Sequence, residues 1–253
     1  MIDVHSHLVF DVDDGSKSIE DTIVMLQEAE NAGFTDVILT PHYMEEFYEV
    51  PCDEIKNRIN TIEDRAYRVS LNIYQGNEIY ISNNIIDLIN SKKAMGLNNS
   101  RYVLFELPMN ERPINLEQVV YELLQEGKIP VIAHPERYAY VQEDPNVLLD
   151  FIEQGVLFQA NYGSIIGMYG KEIKNTVKKL LKHDMIHFLG SDNHRSNTVY
   201  KEMPKIMPVL EEWIGTKKVE ELTVENPIHV LKNERFEIED PETIEKKSWM
   251  FWK

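Results

Sequence analysis

Cysteine is almost missing from this 253-residue chain, with Cys52 as the single example. One thiol excludes an internal disulfide and suits a reducing compartment. Positive charge is scarce as well: 26 lysines and arginines stand against 43 acids, for a formal net charge of −17. No basic stripe is left to neutralise phosphates, so a nucleic-acid surface is not expected. Most of the acid reads as a solvated surface, part of it as a counter-charge for bound cations. Apolar runs stay well below the roughly 18 residues of a transmembrane helix. The N-terminus lacks a charged segment leading into a long apolar stretch, so a signal peptide is not expected and the cytoplasm is. Glycine-rich phosphate loops of the P-loop or dinucleotide kind do not occur.

What is present is an alternation of short apolar runs with helix-like stretches, the pattern of parallel β/α units. The predicted strands are Ile2–His5, Asp36–Thr40, Asn72–Gln75, Tyr102–Phe105, Ile129–Ala133, Leu157–Ala160 and Ile186–Gly190. Helices are predicted over Ser18–Ala32, with Ser18 as N-cap and Gly33 beyond the end, over Leu116–Glu126 before Gly127, and over Glu172–His183. Seven such units predict an α/β barrel one unit short of eight, with an open doubly wound sheet as the alternative. No internal repeat or linker divides the body. Beyond Asn233 the composition turns charged and closes on Trp249-Met250-Phe251-Trp252-Lys253, which reads as an appendage packing back on the body.

The polar residues fall at the strand ends. His5 and His7 close the first strand, and His42, Glu78, Glu106 and His134 follow the second to the fifth. Asp192 and His194 follow the seventh, and Asp14 comes just after the first. Strand C-termini share one face of an α/β barrel, where reactive groups gather. In extended chain, residues two apart project to one side, so His5/His7 and Asp192/His194 can each aim two ligands at one point. Imidazoles and carboxylates suit Mn, Fe or Zn alike. One metal takes about four to six ligands, so this set implies about two or three ions with a bridging carboxylate. Clustered ions clamp phosphoryl oxygens and bring a water's pKa toward neutrality. Arg137, three residues past His134, carries the planar fork that fits phosphate.

Cys52 and Arg58 have the Cys-x5-Arg spacing of thiolate phosphatases. That chemistry needs a loop of backbone N–H groups and an acidified thiol. Here two acids follow the cysteine, glycine is missing, and Pro51 opens a predicted helix. Cys52 is expected to be a structural bystander.

Together these residues resemble the polymerase and histidinol phosphatase (PHP) superfamily, and within it the manganese-dependent protein-tyrosine phosphatases of bacterial capsule and exopolysaccharide operons. The resemblance is carried by Met1-Ile2-Asp3-Val4-His5-Ser6-His7 running into Asp13-Asp14-Gly15, and by Gly76-Asn77-Glu78-Ile79-Tyr80. Ser100-Arg101-Tyr102 leading to Glu106, and Ala133-His134-Pro135-Glu136-Arg137, extend it. It covers roughly residues 1 to 231 and is weakest between Phe47 and Leu71 and in the tail. It implies a distorted (β/α)7 TIM-like barrel of the PHP fold over residues 1–232, with a C-terminal tail over 233–253. It also implies three metals, with manganese expected and iron or zinc as substitutes. By similarity, His5, His7, Glu78 and Asp192 hold the first ion, Glu78, Glu106 and His134 the second, and Asp14, His42 and His194 the third. Arg137 matches a phosphate-binding arginine of the family. A second family arginine beyond Asp192-Asn193-His194 is replaced near Val199 and Lys201, which leaves Arg195 as the candidate substitute.

The expected activity is hydrolysis of phosphotyrosine on the tail of a cognate membrane-associated bacterial tyrosine kinase, regulating polysaccharide export. Arg137 and Arg195 are expected to stabilise charge, and Asp192 or His194 to assist proton transfer. The alternatives are a small-molecule phosphomonoesterase of the histidinol-phosphatase kind and a non-catalytic, metal-stabilised module that binds the kinase.

Overall fold

The computed structural model describes residues 1–245; the aromatic end Trp249–Lys253 lies outside the described residues. The strands are β1 (Ile2–Asp3), β2 (Asp36–Leu39), β3 (His42–Tyr43), β4 (Asn72–Gln75), β5 (Glu78–Tyr80), β6 (Tyr102–Glu106), β7 (Ile129–Ala133), β8 (Leu157–Asn161) and β9 (Phe188–Gly190). Between or after them run α1 (Ile19–Asn31), α2 (Cys52–Arg65), α3 (Ile85–Asn90), α4 (Leu116–Gln125), α5 (Ala139–Glu143) and α6 (Leu149–Glu153). Then come α7 (Tyr162–Ile166), α8 (Lys171–Lys182), α9 (Val199–Glu220) and α10 (Asn226–Lys232). All seven predicted strands and the three predicted helices are present within a few residues of their expected limits.

Among the described residues the strands pair in parallel throughout, in the orders β1-β2-β4 and β3-β5-β6-β7-β8-β9. Parallel strands need crossovers, and the helices supply them on the outside of a curled sheet. Side-chain alternation sends β6 and β7 into two cores. Tyr102, Leu104, Val131 and Ala133 join Ile2, Val4, Ile38, Leu157 and Phe188 in the inner cluster. Val103, Phe105 and Ile132 face the helices with Met25, Leu26, Val119, Leu123, Val177 and Leu180. The buried stripe of α8, Thr176, Val177, Leu180 and Leu181, follows the helical period that predicts it.

Local chemistry sets the element ends. Ser18 caps α1 by accepting the Asp21 N–H at 3.1 Å, and Gly33 follows with a left-handed φ of 91°. The tail returns to the body: Phe236 stacks on Tyr102 at 6.4 Å, and Ile244 exchanges backbone bonds with the Asn146 side chain at 2.9 and 3.0 Å. Among the described residues no helix is long and apolar enough to cross a membrane.

Candidate metal centre

Most ligand candidates stand at or near a strand end, and Asp14 stands in the loop between β1 and α1. Glu106 is the last residue of β6, on the inner side with Tyr102 and Leu104, and His134 directly follows β7. His42 and Glu78 were expected to follow strands; they open short strands of their own, and β3 and β5 pair in register there. The first and last segments meet through a parallel bridge between Ser6 and Asn193, flanked by His7 N–H to Asn193 O at 3.1 Å and Asp192 N–H to His5 O at 2.8 Å. This contact brings the His5/His7 pair against Asp192 and His194.

The nine side chains converge. His5 Nε2 lies 3.1 Å from His7 Nε2, 3.2 Å from Glu78 Oε2 and 3.6 Å from Asp192 Oδ1. His7 Nε2 is 3.3 Å from Glu78 Oε2 and 3.4 Å from Asp192 Oδ1. Glu78 Oε1 reaches His134 Nε2 at 3.0 Å, while Glu78 Oε2 reaches His42 Nδ1 at 3.0 Å. Glu106 stands 3.3 Å from His42 and 3.8 Å from His134. Asp14 Oδ1 is 3.3 Å from His194 Nε2 and 3.6 Å from His42 Nε2. Three groups are compact enough to share an ion: His7 with Asp14, His42 and His194; His5 with His7 and Asp192; and His42 with Glu78 and Glu106. His42 thus neighbours the Glu78/Glu106 pair as closely as His134 does.

The electrostatics are those of buried imidazoles and carboxylates packed against one another. Burial pushes the His5 imidazole down, but Glu78 and Asp192 raise it to about 9. Burial likewise opposes His42, and Glu78 with Glu106 lifts it to about 10. The Glu78 carboxyl is held well below its usual range by His5 and His42 against the burial penalty. Glu106 moves to about 8 through burial and the neighbouring Glu78 charge. His42 Nδ1 and Glu78 Oε2 are buried without hydrogen-bond partners. Buried polar atoms are seldom left so, and orphans within a His/carboxylate set fit metal ligation.

Outer partners fix the rings. His7 Nδ1 pairs with Asp13 Oδ2 at 2.8 Å, and Asp13 also accepts the N–H groups of Gly15 and His42. Gly15 is required there, since a Cβ would stand 2.2 Å from the His7 carbonyl oxygen. His5 Nδ1 pairs with Gln159 Oε1 at 2.6 Å, and Asn161 Nδ2 donates to Asp192 Oδ2 at 2.6 Å. Such carboxylate and amide partners orient metal-binding imidazoles. Sequence reasoning missed Asp13, Gln159 and Asn161 as site residues. The signal available was two polar residues, two apart, on the inner side of the otherwise apolar β8. His134 and Asp192 take left-handed φ values of 35° and 51°, a strain found at functional positions.

Arg137 Nη1 donates to Asp192 Oδ2 at 3.0 Å, and its guanidinium lies 5.0 Å over the Tyr169 ring. Arg195 is placed otherwise: its Nη1 donates to the carbonyls of Asp14, Gly15 and His194 at 2.5, 2.8 and 2.7 Å. Cys52 opens α2 behind Pro51, is buried, and has its thiol pushed up to about 11 by burial. It takes no part in the cluster.

The family model described as capsular polysaccharide synthesis, CpsB/CapC, matches residues 1–232. The chain is 37% identical to the putative tyrosine-protein phosphatase CapC of Staphylococcus aureus over 196 residues, 77% of either chain. It is 30% identical to the tyrosine-protein phosphatase YwqE of Bacillus subtilis (strain 168) over 249 residues, 98% of either chain. A chain from the crystal structures of YwqE from Bacillus subtilis and CpsB from Streptococcus pneumoniae, described as unique metal-dependent tyrosine phosphatases, superposes with a TM-score of 0.91 at 30% identity. That match covers 97% of this chain and 100% of the other. An amidohydrolase from Mycoplasma synoviae shares the fold alone, at a TM-score of 0.60 and 12% identity over 97% of this chain and 90% of the other.

Proposed function

The chain belongs to the CpsB/CapC family of capsular polysaccharide synthesis proteins, and from that premise we propose how its site works and on what. It is a metal-dependent tyrosine phosphatase of capsule synthesis. Its substrate in this reading is phosphotyrosine on the tail of a cognate membrane-associated tyrosine kinase. The observation that carries the reading is the convergence of His5, His7, Asp14, His42, Glu78, Glu106, His134, Asp192 and His194, with buried ligand atoms left without hydrogen bonds.

Three ions, manganese in this reading, would be held by His5, His7, Glu78 and Asp192; by Glu78, Glu106 and His134; and by Asp14, His42 and His194. When bound, such ions supply Lewis acidity toward phosphoryl oxygens and an activated water at neutral pH. The protein's own groups do the rest. Arg137, held by Asp192 and backed by Tyr169, offers its free guanidinium donors to the phosphate and to charge that grows on it in the transition state. Arg195 acts through the loop carbonyls it grips, which makes it a positioning residue for Asp14. Ligation and proton transfer compete for the same lone pairs. His194 and Asp192 would therefore assist proton transfer to the departing phenolic oxygen only while not holding an ion, and His194, whose side chain is 26% exposed, is the more accessible of the two.

The two sheets also read as one distorted (β/α)7 barrel. In that reading β3 resumes β2 after Thr40 and Pro41, β5 resumes β4 after Gly76 and Asn77, and the Ser6–Asn193 bridge joins first stave to last.

The test is hydrolysis of a phosphotyrosine peptide by the purified protein, with manganese and again after chelation. Activity lost with chelator and restored with metal is expected. Failure to hydrolyse with metals verifiably bound would overturn the reading.

A further inference from the structure

We infer that the turn from Met44 to Tyr48 is the ring-recognition element of this site, with Tyr48 and Phe47 forming the wall against which the aryl group of a phosphotyrosine lies. The inference rests on the phosphatase reading above and states where the substrate's ring goes.

The cluster is sealed on one side and open on the other. The side chains of His5, His7 and Glu78 are 0% exposed and that of His134 is 2% exposed, whereas Arg137 reaches 28% and Asp14 53%. A phosphate therefore arrives past Asp14, His42, His194 and Arg137, and its ester group trails outward along the same edge. Tyr48 occupies that edge: its ring stacks on His42 at a centroid distance of 5.8 Å and an interplanar angle of 15°. Phe47, the neighbouring residue, is 70% exposed.

The turn carrying both rings is held rigidly. Met44 N–H donates to Tyr48 O at 2.9 Å, and Tyr48 N–H returns to Met44 O at 2.8 Å. Phe47 N–H donates to Met44 O at 3.0 Å, and Glu46 N–H to Glu49 Oε1 at 2.6 Å. Glu45 ties the turn to the segment beyond β5 by accepting the Ser82 hydroxyl at 2.5 Å. The turn's backbone and the stacked Tyr48 ring are thus ordered before any ligand arrives, which lowers the cost of binding against them.

Substrate chemistry supplies the other half. The imidazoles, carboxylates and Arg137 read only a phosphate, which every phosphomonoester carries. Phosphotyrosine differs from phosphoserine in the flat ring between phosphorus and main chain, and only apolar or aromatic surface at the mouth can read that ring. Aromatic pairs in offset or edge-to-face contact supply such a preference.

The experiment compares phosphotyrosine-peptide kinetics with inhibition by inorganic phosphate, which has no ring. Phe47→Ala and Tyr48→Ala are expected to raise KM for the peptide about two- to tenfold, with the inhibition constant of phosphate and the bound metal unchanged. Tyr48→Phe, which keeps the stacked ring, should behave as wild type. An unchanged KM in both alanine variants overturns the inference. So does a phosphate inhibition constant that rises in step with KM, which would make the turn a support for His42 alone. A metal-loaded wild type that hydrolyses no phosphotyrosine peptide defeats the phosphatase reading itself, an outcome distinct from both.

Discussion

His42 Nδ1 lies 3.0 Å from Glu78 Oε2, yet both atoms are buried and neither makes a hydrogen bond. Atoms so close in a dry site repel unless a proton or a cation stands between their charges. The raised His42 and lowered Glu78 show which charges each induces in the other. Glu78→Gln keeps the shape and removes the charge. It is expected to weaken metal binding by more than about a hundredfold and to abolish phosphotyrosine hydrolysis, as read by metal analysis of the dialysed protein and by turnover.

Arg137 has an acid below it and an aromatic ring behind it, so its plane is set before substrate arrives. Arg137→Ala should lower kcat/KM on a phosphotyrosine peptide about a hundred- to a thousandfold while the metals stay bound. Arg137→Lys should recover only part, since an ammonium replaces a two-pronged donor with a point charge. Full activity in the alanine variant would remove Arg137 from the mechanism.

Asp13 fixes two of the cluster's imidazole-bearing residues, through His7 Nδ1 and the His42 N–H. Asp13→Asn is expected to lower metal affinity about ten- to a hundredfold. A metal titration followed by unfolding temperature measures this. Unchanged affinity would reduce Asp13 to a loop-folding role.

Cys52→Ser should leave hydrolysis within about twofold of wild type, because a buried thiol raised by burial supplies no thiolate at neutral pH. A metal-loaded but inactive Cys52→Ser protein would replace the metal mechanism with a thiolate one.

His187 lies at the other end of the strands, where its Nδ1 accepts the Phe158 N–H at 3.1 Å. Burial, helped by Lys218, depresses it to about 3. The unfolded chain protonates this histidine below about pH 6.5 while the folded one does not, so the contribution is complete above that pH. It is lost as pH falls toward 3. Between pH 6.5 and 5.5 the wild type should lose about 1 kcal/mol more than His187→Gln, as urea unfolding at the two pH values would show. Parallel losses would mean that His187 is protonated in the fold.

Much of this was legible in the sequence because strand ends and ligands coincide. Alternation within Tyr102–Glu106 puts Glu106 on the inner face with Leu104, and the His5/His7 and Asp192/His194 spacings announce paired ligands. What escaped depends on partners far apart in the chain. Gln159 is a lone polar residue within the predicted strand Leu157–Ala160, and only the approach of His5, 154 residues away, gives it a role. Asp13 was hidden beside Asp14, since nothing local says which of two adjacent acids faces a histidine and which faces solvent. The breaks at Pro41 and Gly76-Asn77 are also local, and they start the short strands that carry His42 and Glu78. Arg195 illustrates the reverse case: position suggested a phosphate contact, and the backbone carbonyls of Asp14 and Gly15 claim its Nη1 instead.

The bridge between Ser6 and Asn193 has a consequence for biosynthesis. In synthesis His5 and His7 are made before Asp192 and His194, with all the strands and helices from α1 to β9 coming between them. Contacts of such sequence separation form late and slowly. Seven of the nine converging side chains precede Ser191, so a nascent chain carries most of the candidate centre before the two residues that close it are made. The complete cluster first exists when the segment of Asp192 and His194 docks beside that of His5 and His7, so the geometry that would select an ion belongs to the finished fold.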